Sequence, residues 1–175
     1  FEFSNVPAGY DPAELNASIS PATIRIAGAA DTVDGIESVN AGFINLARVQ
    51  LGKAETLKIQ LSEGLVNVDD VQEATVTFDT SGYGEPRAIT VSDIRVVNAP
   101  SGVDVKVITE SINNVTLVGE AEELAAISPS DVIAQVDASA QNITVKGSGQ
   151  QQFSAQIIVT GTKTVFATGA YSVLC

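Results

Sequence analysis

The sequence predicts a mainly β protein made of two tandem small β-rich modules, each with one short helix. Short runs with an apolar residue at every second position recur along the 175 residues, which is typical of strands. The apolar content is mostly Val, Ile, Ala and Leu with only 5% aromatic residues, a composition that favours strands. Nearly the same loop also occurs twice, as "NVPAGYD" at 5–11 and "NAPSGVD" at 98–104.

The repeated loop belongs to a longer internal repeat. The loops are 93 positions apart (98 minus 5), and the glycines that end the next predicted strand, Gly28 and Gly119, are 91 apart (119 minus 28). Downstream segments alternate in the same way in both copies. The series predicts a tandem duplication, with module 1 at 1–92 and module 2 at 93–175. The boundary is expected near 90–93, where limited proteolysis should cut.

Strands are predicted where a period of two coincides with β-branched residues. In chain order they are "FEF", "TIRIAG", "FINLARVQL", "TLKIQL", "EATVTFDT", "AITVSDIRVV", "VDVKVI", "VTLVG", "DVIAQVDA", "NITVKG", "QFSAQIIVTG" and "TVFATGAYSVL". Loops rich in Gly, Ser, Asn and Pro separate them, including "SGYGEP" at 81–86 and "GSGQQQ" at 147–152.

A short helix is predicted after the strand-ending glycine of each module. Val33 and Ile36 in the first module, like Leu124 and Ile127 in the second, have the three-residue spacing of a one-sided helix. Acidic residues fall in or near each first turn, where they offset the helix dipole: Asp31, Glu120, Glu122 and Glu123. Gly35 makes the first helix the weaker of the two.

The charge and composition exclude several function classes. A net charge of −12 repels nucleic acids and anionic lipid surfaces. The chain has no His and a single Cys at position 175, so His-based catalysis, zinc sites and an activated cysteine nucleophile are not expected. No phosphate-binding or dinucleotide motif is present. We therefore expect a protein that is not an enzyme and has no cofactor.

The acidic clusters are interpreted as solvated loop residues. The pairs are Asp31 with Asp34, Asp69 with Asp70, and Glu122 with Glu123. None has the facing arrangement of a glycosidase pair, and "DTVDG" lacks the ligand spacing of a calcium loop. Asn-x-Ser/Thr sequences, which matter only if the source glycosylates secreted proteins, occur at Asn16, Asn114 and Asn142.

Two tyrosines in turns are the candidate partner contacts. Tyr83 in "SGYGEP" and Tyr10 in the first repeated loop are aromatic residues among turn formers. The alternative is that both rings pack within their turns. Pro and Gly together define such turns, so the loops themselves are expected to be structural.

The repeat resembles the YbbR-like domain family. The shared features are the "N-x-P-x-G" turn, a strand ending in glycine followed by an acidic helix ("NNVTLVGEAEELAAIS"), and a strand running into "VIAQVDAS". The second copy is the closer match, with Val136 and Asp137 at its strand end. The first copy departs there, because "INLARV" places Ala47 or Arg48 where an aspartate is expected.

This resemblance implies small β-rich modules in tandem outside the bacterial cytoplasmic membrane, behind a membrane anchor. It also implies regulation of a membrane diadenylate cyclase that makes cyclic di-AMP. The absence of any Met predicts that the chain is a piece of such a protein, with the anchor elsewhere. A cell-surface adhesion or glycan-binding stalk is the alternative. The scarcity of aromatic residues favours the regulator, because glycan sites usually present an aromatic platform.

Overall fold

The computed structural model describes residues 1–139 and 149–175 and confirms the mainly β fold class. The predicted strand "NITVKG" at 142–147 and the sequence motif at Asn142 lie outside these described residues. The described chain divides into two compact units, which are discontinuous in sequence. The module boundaries predicted from the repeat, 1–92 and 93–175, stay a prediction.

Unit 1 consists of Phe1–Asn5 and Leu15–Ser81. Its elements are β1 (Glu2–Ser4), β2 (Ala17–Ser20), β3 (Ile26–Ala27), α1 (Ala30–Val33), β4 (Phe43–Asn45), β5 (Glu55–Lys58), β6 (Val66–Asn67) and β7 (Glu73–Phe78). Three sheets form: β1 with β4, β3 with β6, and β2–β7–β5. The strand β7 alternates buried and exposed residues along its whole length, which places one of its faces in the interior.

Unit 2 consists of Val6–Glu14 and Gly82–Cys175. Its elements are a 3-10 turn (Pro12–Glu14), β8 (Arg87–Val91), β9 (Asp93–Val97), β10 (Ile112–Val118), α2 (Ala121–Ala126), a 3-10 turn (Pro129–Asp131), β11 (Val132–Asp137), β12 (Gln152–Val159), β13 (Phe166–Thr168) and β14 (Tyr171–Leu174). The sheets are β13–β10–β8 and β14–β12–β11–β9.

The parallel strand pairs of the two units have matching registers. In unit 1, Ser4 lies opposite Asn45, and in unit 2, Val97 lies opposite Asp137. Asn45 and Asp137 each accept a hydrogen bond from the N–H two residues later, at 3.0 and 2.9 Å. The counterpart of Asp137 is therefore Asn45 rather than Ala47 or Arg48, because an asparagine oxygen closes the same turn as an aspartate oxygen.

The strand that ends in glycine also matches between the units. β3 pairs antiparallel with β6, and β10 pairs antiparallel with β13. Ile26 lies opposite Asn67, and Leu117 lies opposite Ala167. Leu117 thus corresponds to Ile26 with the separation of 91 (117 minus 26) that relates the two glycines.

A large hydrophobic cluster forms the core of unit 2. Its fully buried members include Val91, Val115, Leu117, Val136 and Val173, and α2 contributes Leu124. The predicted helices are both present, with the predicted acidic residues in or next to their first turns. α1 has four residues and α2 has six, which agrees with the expected weakness of the helix before Gly35.

Several predicted strands are shorter than the pattern suggested. "TIRIAG" forms a strand only at Ile26–Ala27, and "FINLARVQL" only at Phe43–Asn45 before a turn. "VDVKVI" at 103–108 lies outside the strands. Its alternation reflects packing instead, because Val105 and Val107 lie against the unit 2 core.

Candidate functional site

The two Asn-x-Pro-x-Gly turns have the same backbone geometry. In the first, Asn5 and Gly9 have φ values of 50° and 85°, and the Tyr10 N–H donates to the Pro7 carbonyl at 3.1 Å. The turn that starts at Asn98 repeats this geometry with φ values of 54° and 82° and a distance of 3.0 Å. Positive φ explains why the sequence uses Asn and Gly at these positions.

Tyr10 is an interior residue of unit 2. Only 8% of it is exposed, and its ring centroid lies 4.5 Å from that of Phe166. Its buried hydroxyl has no hydrogen-bond partner among the described residues. The ring therefore packs against Phe166 rather than within its own turn, and the partner contact predicted at Tyr10 stays a prediction with little exposed surface.

Tyr83 is half-buried, and its loop is fixed to the end of β10. Its backbone forms a bridge with Glu120, and the Gly84 N–H donates to the Gly119 carbonyl at 3.0 Å. The Tyr83 hydroxyl is also buried without a partner among the described residues. A partner contact at Tyr83 remains a prediction, and it would use the exposed part of this half-buried residue.

We expect Tyr10→Phe to change the stability near neutral pH by less than about 1 kcal/mol, because the hydroxyl that is lost lies near that of Tyr83 but forms no well-aligned hydrogen bond. Burial raises the pKa of Tyr10 above its usual value, and Tyr83, Glu14 and Asp11 raise it further. The unfolded chain loses this proton near pH ~10, so the wild-type protein loses stability as the pH rises above that value. Tyr10→Phe should weaken this alkaline loss, as measured by denaturation at pH 7 and pH 11.

The matched control is Tyr171→Phe. The Tyr171 hydroxyl donates to the Thr168 carbonyl at 2.6 Å and accepts from the Thr116 N–H at 2.9 Å. Its removal should cost about 1–3 kcal/mol at neutral pH. Equal losses for the two variants at neutral pH would contradict the placement of the Tyr10 hydroxyl.

Exposed apolar side chains form a second set of candidate contacts, which no motif in the sequence marks. Phe43, Val66 and Val68 in unit 1 are 62%, 63% and 50% exposed, and Val103 and Ile108 in unit 2 are 40% and 46% exposed. Their alternation with polar residues resembles that of core positions, so the sequence gives no signal for their exposure. Exposed apolar residues of this size are candidates for protein contacts when they cluster.

The two members of the acidic pair Asp69–Asp70 make different local interactions. Asp69 makes an ion pair and two hydrogen bonds with Arg25, and Arg25 lowers the pKa of Asp69. Asp70 accepts a hydrogen bond from Gln72 at 3.0 Å. No group of three or more His, Cys, Asp or Glu residues suited to a metal is found within 1–139 and 149–175.

Glu123 anchors the loop before β13. Its carboxylate accepts hydrogen bonds from the hydroxyls of Thr162 and Thr164, the latter at 2.8 Å. These hydrogen bonds lower the pKa of Glu123, because they favour its charged form. The Glu122–Glu123 pair thus contains one exposed residue and one residue with a structural role.

We expect Glu123→Gln to lower the melting temperature at pH 7 more than at pH 3. A carboxylate with a lowered pKa contributes stability above its unfolded value of about 4.3, and that contribution disappears as the pH falls through the folded value. Thermal denaturation at both pH values measures the difference. Glu122→Gln, on the same helix, is the control and should change little. A Glu123→Gln effect that is the same at both pH values would contradict this role.

Two compact units of short strands, each with one short helix, define a mainly β protein. Residues 2–80 match the family model described as YbbR-like protein. This match supports the family prediction for residues 2–80, and the second tandem copy stays a prediction. The match falls on the first predicted module, although the second appeared closer in sequence. Neither the curated proteins nor the solved structures include a match to the chain.

YbbR-like domains are generally non-catalytic. In the described part of the chain, no helix has the length and apolar character needed to cross a membrane.

Proposed function

We propose that this chain is a non-enzymatic pair of domains that regulates a membrane diadenylate cyclase from the extracytoplasmic face of a bacterial membrane. The match of residues 2–80 to the YbbR-like model carries this proposal, because that family is associated with cyclic di-AMP. The parent protein would be held at the membrane by a segment outside these 175 residues.

The proposed partner is a protein rather than a nucleic acid or lipid surface. The net charge of −12 opposes binding to polyanions. The exposed side chains of Phe43 and Val66 provide the apolar contacts that protein interfaces use at their centres. The contact predicted at Tyr83 belongs to the same proposal.

The test uses the intact parent protein in its own cell. A photo-crosslinking amino acid replaces Phe43 or Tyr83 in separate strains, and the exposed polar position Lys53 serves as the control. Adducts are identified by mass spectrometry. A parallel strain lacks residues 1–175, and its cyclic di-AMP is measured.

Capture of a membrane diadenylate cyclase through Phe43 or Tyr83, with a changed cyclic di-AMP level in the deletion strain, is the expected result. Capture of wall glycan or a host surface protein, with an unchanged nucleotide level, would contradict the proposal. That outcome would assign the chain to the adhesion class.

A further inference from the structure

Strand β10 of unit 2 lies between two neighbours. β13 pairs with one edge and β8 pairs with the other. In the β8 pairing, Val115 lies opposite Ile89 and Leu117 lies opposite Arg87. Both central residues of β10 are fully buried.

The corresponding strand in unit 1, β3, belongs to a sheet of only two strands. β3 is a neighbour of β6, and the separation of 91 makes Ile24 and Ile26 the counterparts of Val115 and Leu117. Both isoleucines are only half-buried. The position that β8 takes in unit 2 has no strand in the described part of unit 1.

The free edge in unit 1 has backbone groups oriented for pairing. The Arg25 carbonyl accepts from the Val68 N–H at 2.9 Å, on the β6 side. Backbone groups of successive residues point to opposite edges of a strand. The N–H and C=O groups of Ile24 and Ile26 therefore face the other edge, as those of Val115 and Leu117 face β8.

A mostly apolar cavity of about 270 Å³ lies beside this edge. Its apolar lining includes Ile19, Ile24, Ile26, Ile36, Val39 and Ala74, and the polar residues Thr23, Glu37 and Ser38 also line it. At the separation of 91, Ile36 corresponds to Ile127, which belongs to the unit 2 cluster that also contains Ile89 and Val91 of β8. The cavity thus borders the position where β8 would add two β-branched side chains.

The first residue of β8 also stabilises the helix end in unit 2. The Arg87 guanidinium donates to the carbonyls of Leu124 and Ile127 at 3.1 and 2.8 Å. These carbonyls lie at the C-terminal end of α2, where helices leave acceptors unpaired. The counterparts in unit 1 are Val33 and Ile36, at the end of the shorter helix α1.

We infer that unit 1 has a strand-acceptor groove, which binds an extended segment of the β8 type antiparallel to residues 21–26. The segment supplies a basic residue beside Ile26 and the end of α1, followed by β-branched apolar residues at alternate positions. Main-chain hydrogen bonds to Ile24 and Ile26 hold it, and the cavity receives its side chains. Addition of a strand to a free edge is an established mode of peptide recognition.

The test adds a copy of residues 82–93 directly before Phe1 of the full chain. Because the turns at Asn5 and Asn98 are 93 positions apart, this junction reproduces the spacing between β8 and β9. Amide hydrogen exchange at Ile24 and Ile26 should slow by at least about tenfold, as expected for amides that gain a strand partner. The melting temperature of unit 1 should rise.

The control extension has the same length but carries Ile89→Asp and Val91→Asp in the added copy. It should give neither effect, because unpaired carboxylates are disfavoured against the isoleucine side chains of the cavity and are repelled by Glu37 in its lining. Equal exchange at Ile24 and Ile26 with and without the intact extension would overturn the inference. So would equal protection by both extensions.

A second measurement keeps the inference testable if the extended chain misfolds. A free peptide of residues 82–93 is titrated into the unextended chain, and amide chemical shifts are recorded. Shifts centred on Ile24 and Ile26 that disappear with the control peptide support the groove. Shifts elsewhere, or none at saturating peptide, contradict it.

Discussion

Leu117→Ala is expected to lower the free energy of unfolding of unit 2 by about 2–5 kcal/mol. Leu117 is fully buried and lies on β10 between β8 and β13. Both neighbouring strands restrict the relaxation of the site, so the substitution leaves a cavity. Denaturant titration followed by NMR signals of unit 2 measures the loss.

The matched variant is Ile26→Ala, at the corresponding position of unit 1. Ile26 is half-buried and borders a cavity that already exists. The loss should therefore stay below about 2 kcal/mol, since less apolar surface is removed from the interior. An Ile26→Ala loss as large as that of Leu117→Ala would show that the edge beside β3 is packed like the edge of β10.

Gly119→Ala is the second substitution with a large expected effect, a loss of about 1–3 kcal/mol or more. A Cβ atom at this position would lie 2.6 Å from the Thr164 carbonyl oxygen and 2.7 Å from the Val165 Cα. Both are backbone atoms, which cannot rotate away as a flexible side chain would. The loop between β12 and β13 would have to move, and Glu123 holds that loop through Thr162 and Thr164.

Gly35→Ala is the control for this effect. No atom lies within 4 Å of a Cβ built at Gly35. Its replacement should leave stability unchanged or raise it by about 0.4–1 kcal/mol, because alanine restricts the unfolded chain. Thermal denaturation compares the two variants. A Gly119→Ala protein as stable as the wild type would contradict the close approach at the end of β10.

The local patterns in the sequence predicted local structure well. The Asn-x-Pro-x-Gly turns, the acidic helix starts and the strand-ending glycines follow from backbone sterics and dipole effects, which act over a few residues. Gly28 and Gly119 both face backbone at short range. That close approach explains the glycine at the end of each strand.

The long-range arrangement was not predictable from the same patterns. The apolar residues at alternate positions, Ile24 and Ile26, indicate a strand, but this pattern does not identify the strand that pairs with it. It also could not show that Tyr10 packs on Phe166, 156 positions further along (166 minus 10). The segment "VDVKVI" has the alternation of a strand, yet Val105 and Val107 pack on the core without a ladder.

Amide hydrogen exchange on the 175-residue chain tests most directly whether unit 1 has an open strand edge. In unit 1, exchange should alternate: Ile24 and Ile26 exchange fast, whereas Arg25, which donates to Asp69 at 2.7 Å, exchanges slowly. In unit 2, Val115 and Leu117 should both be protected, because β8 covers that edge. Equal protection along residues 24–26 would contradict the open edge and the groove inferred from it.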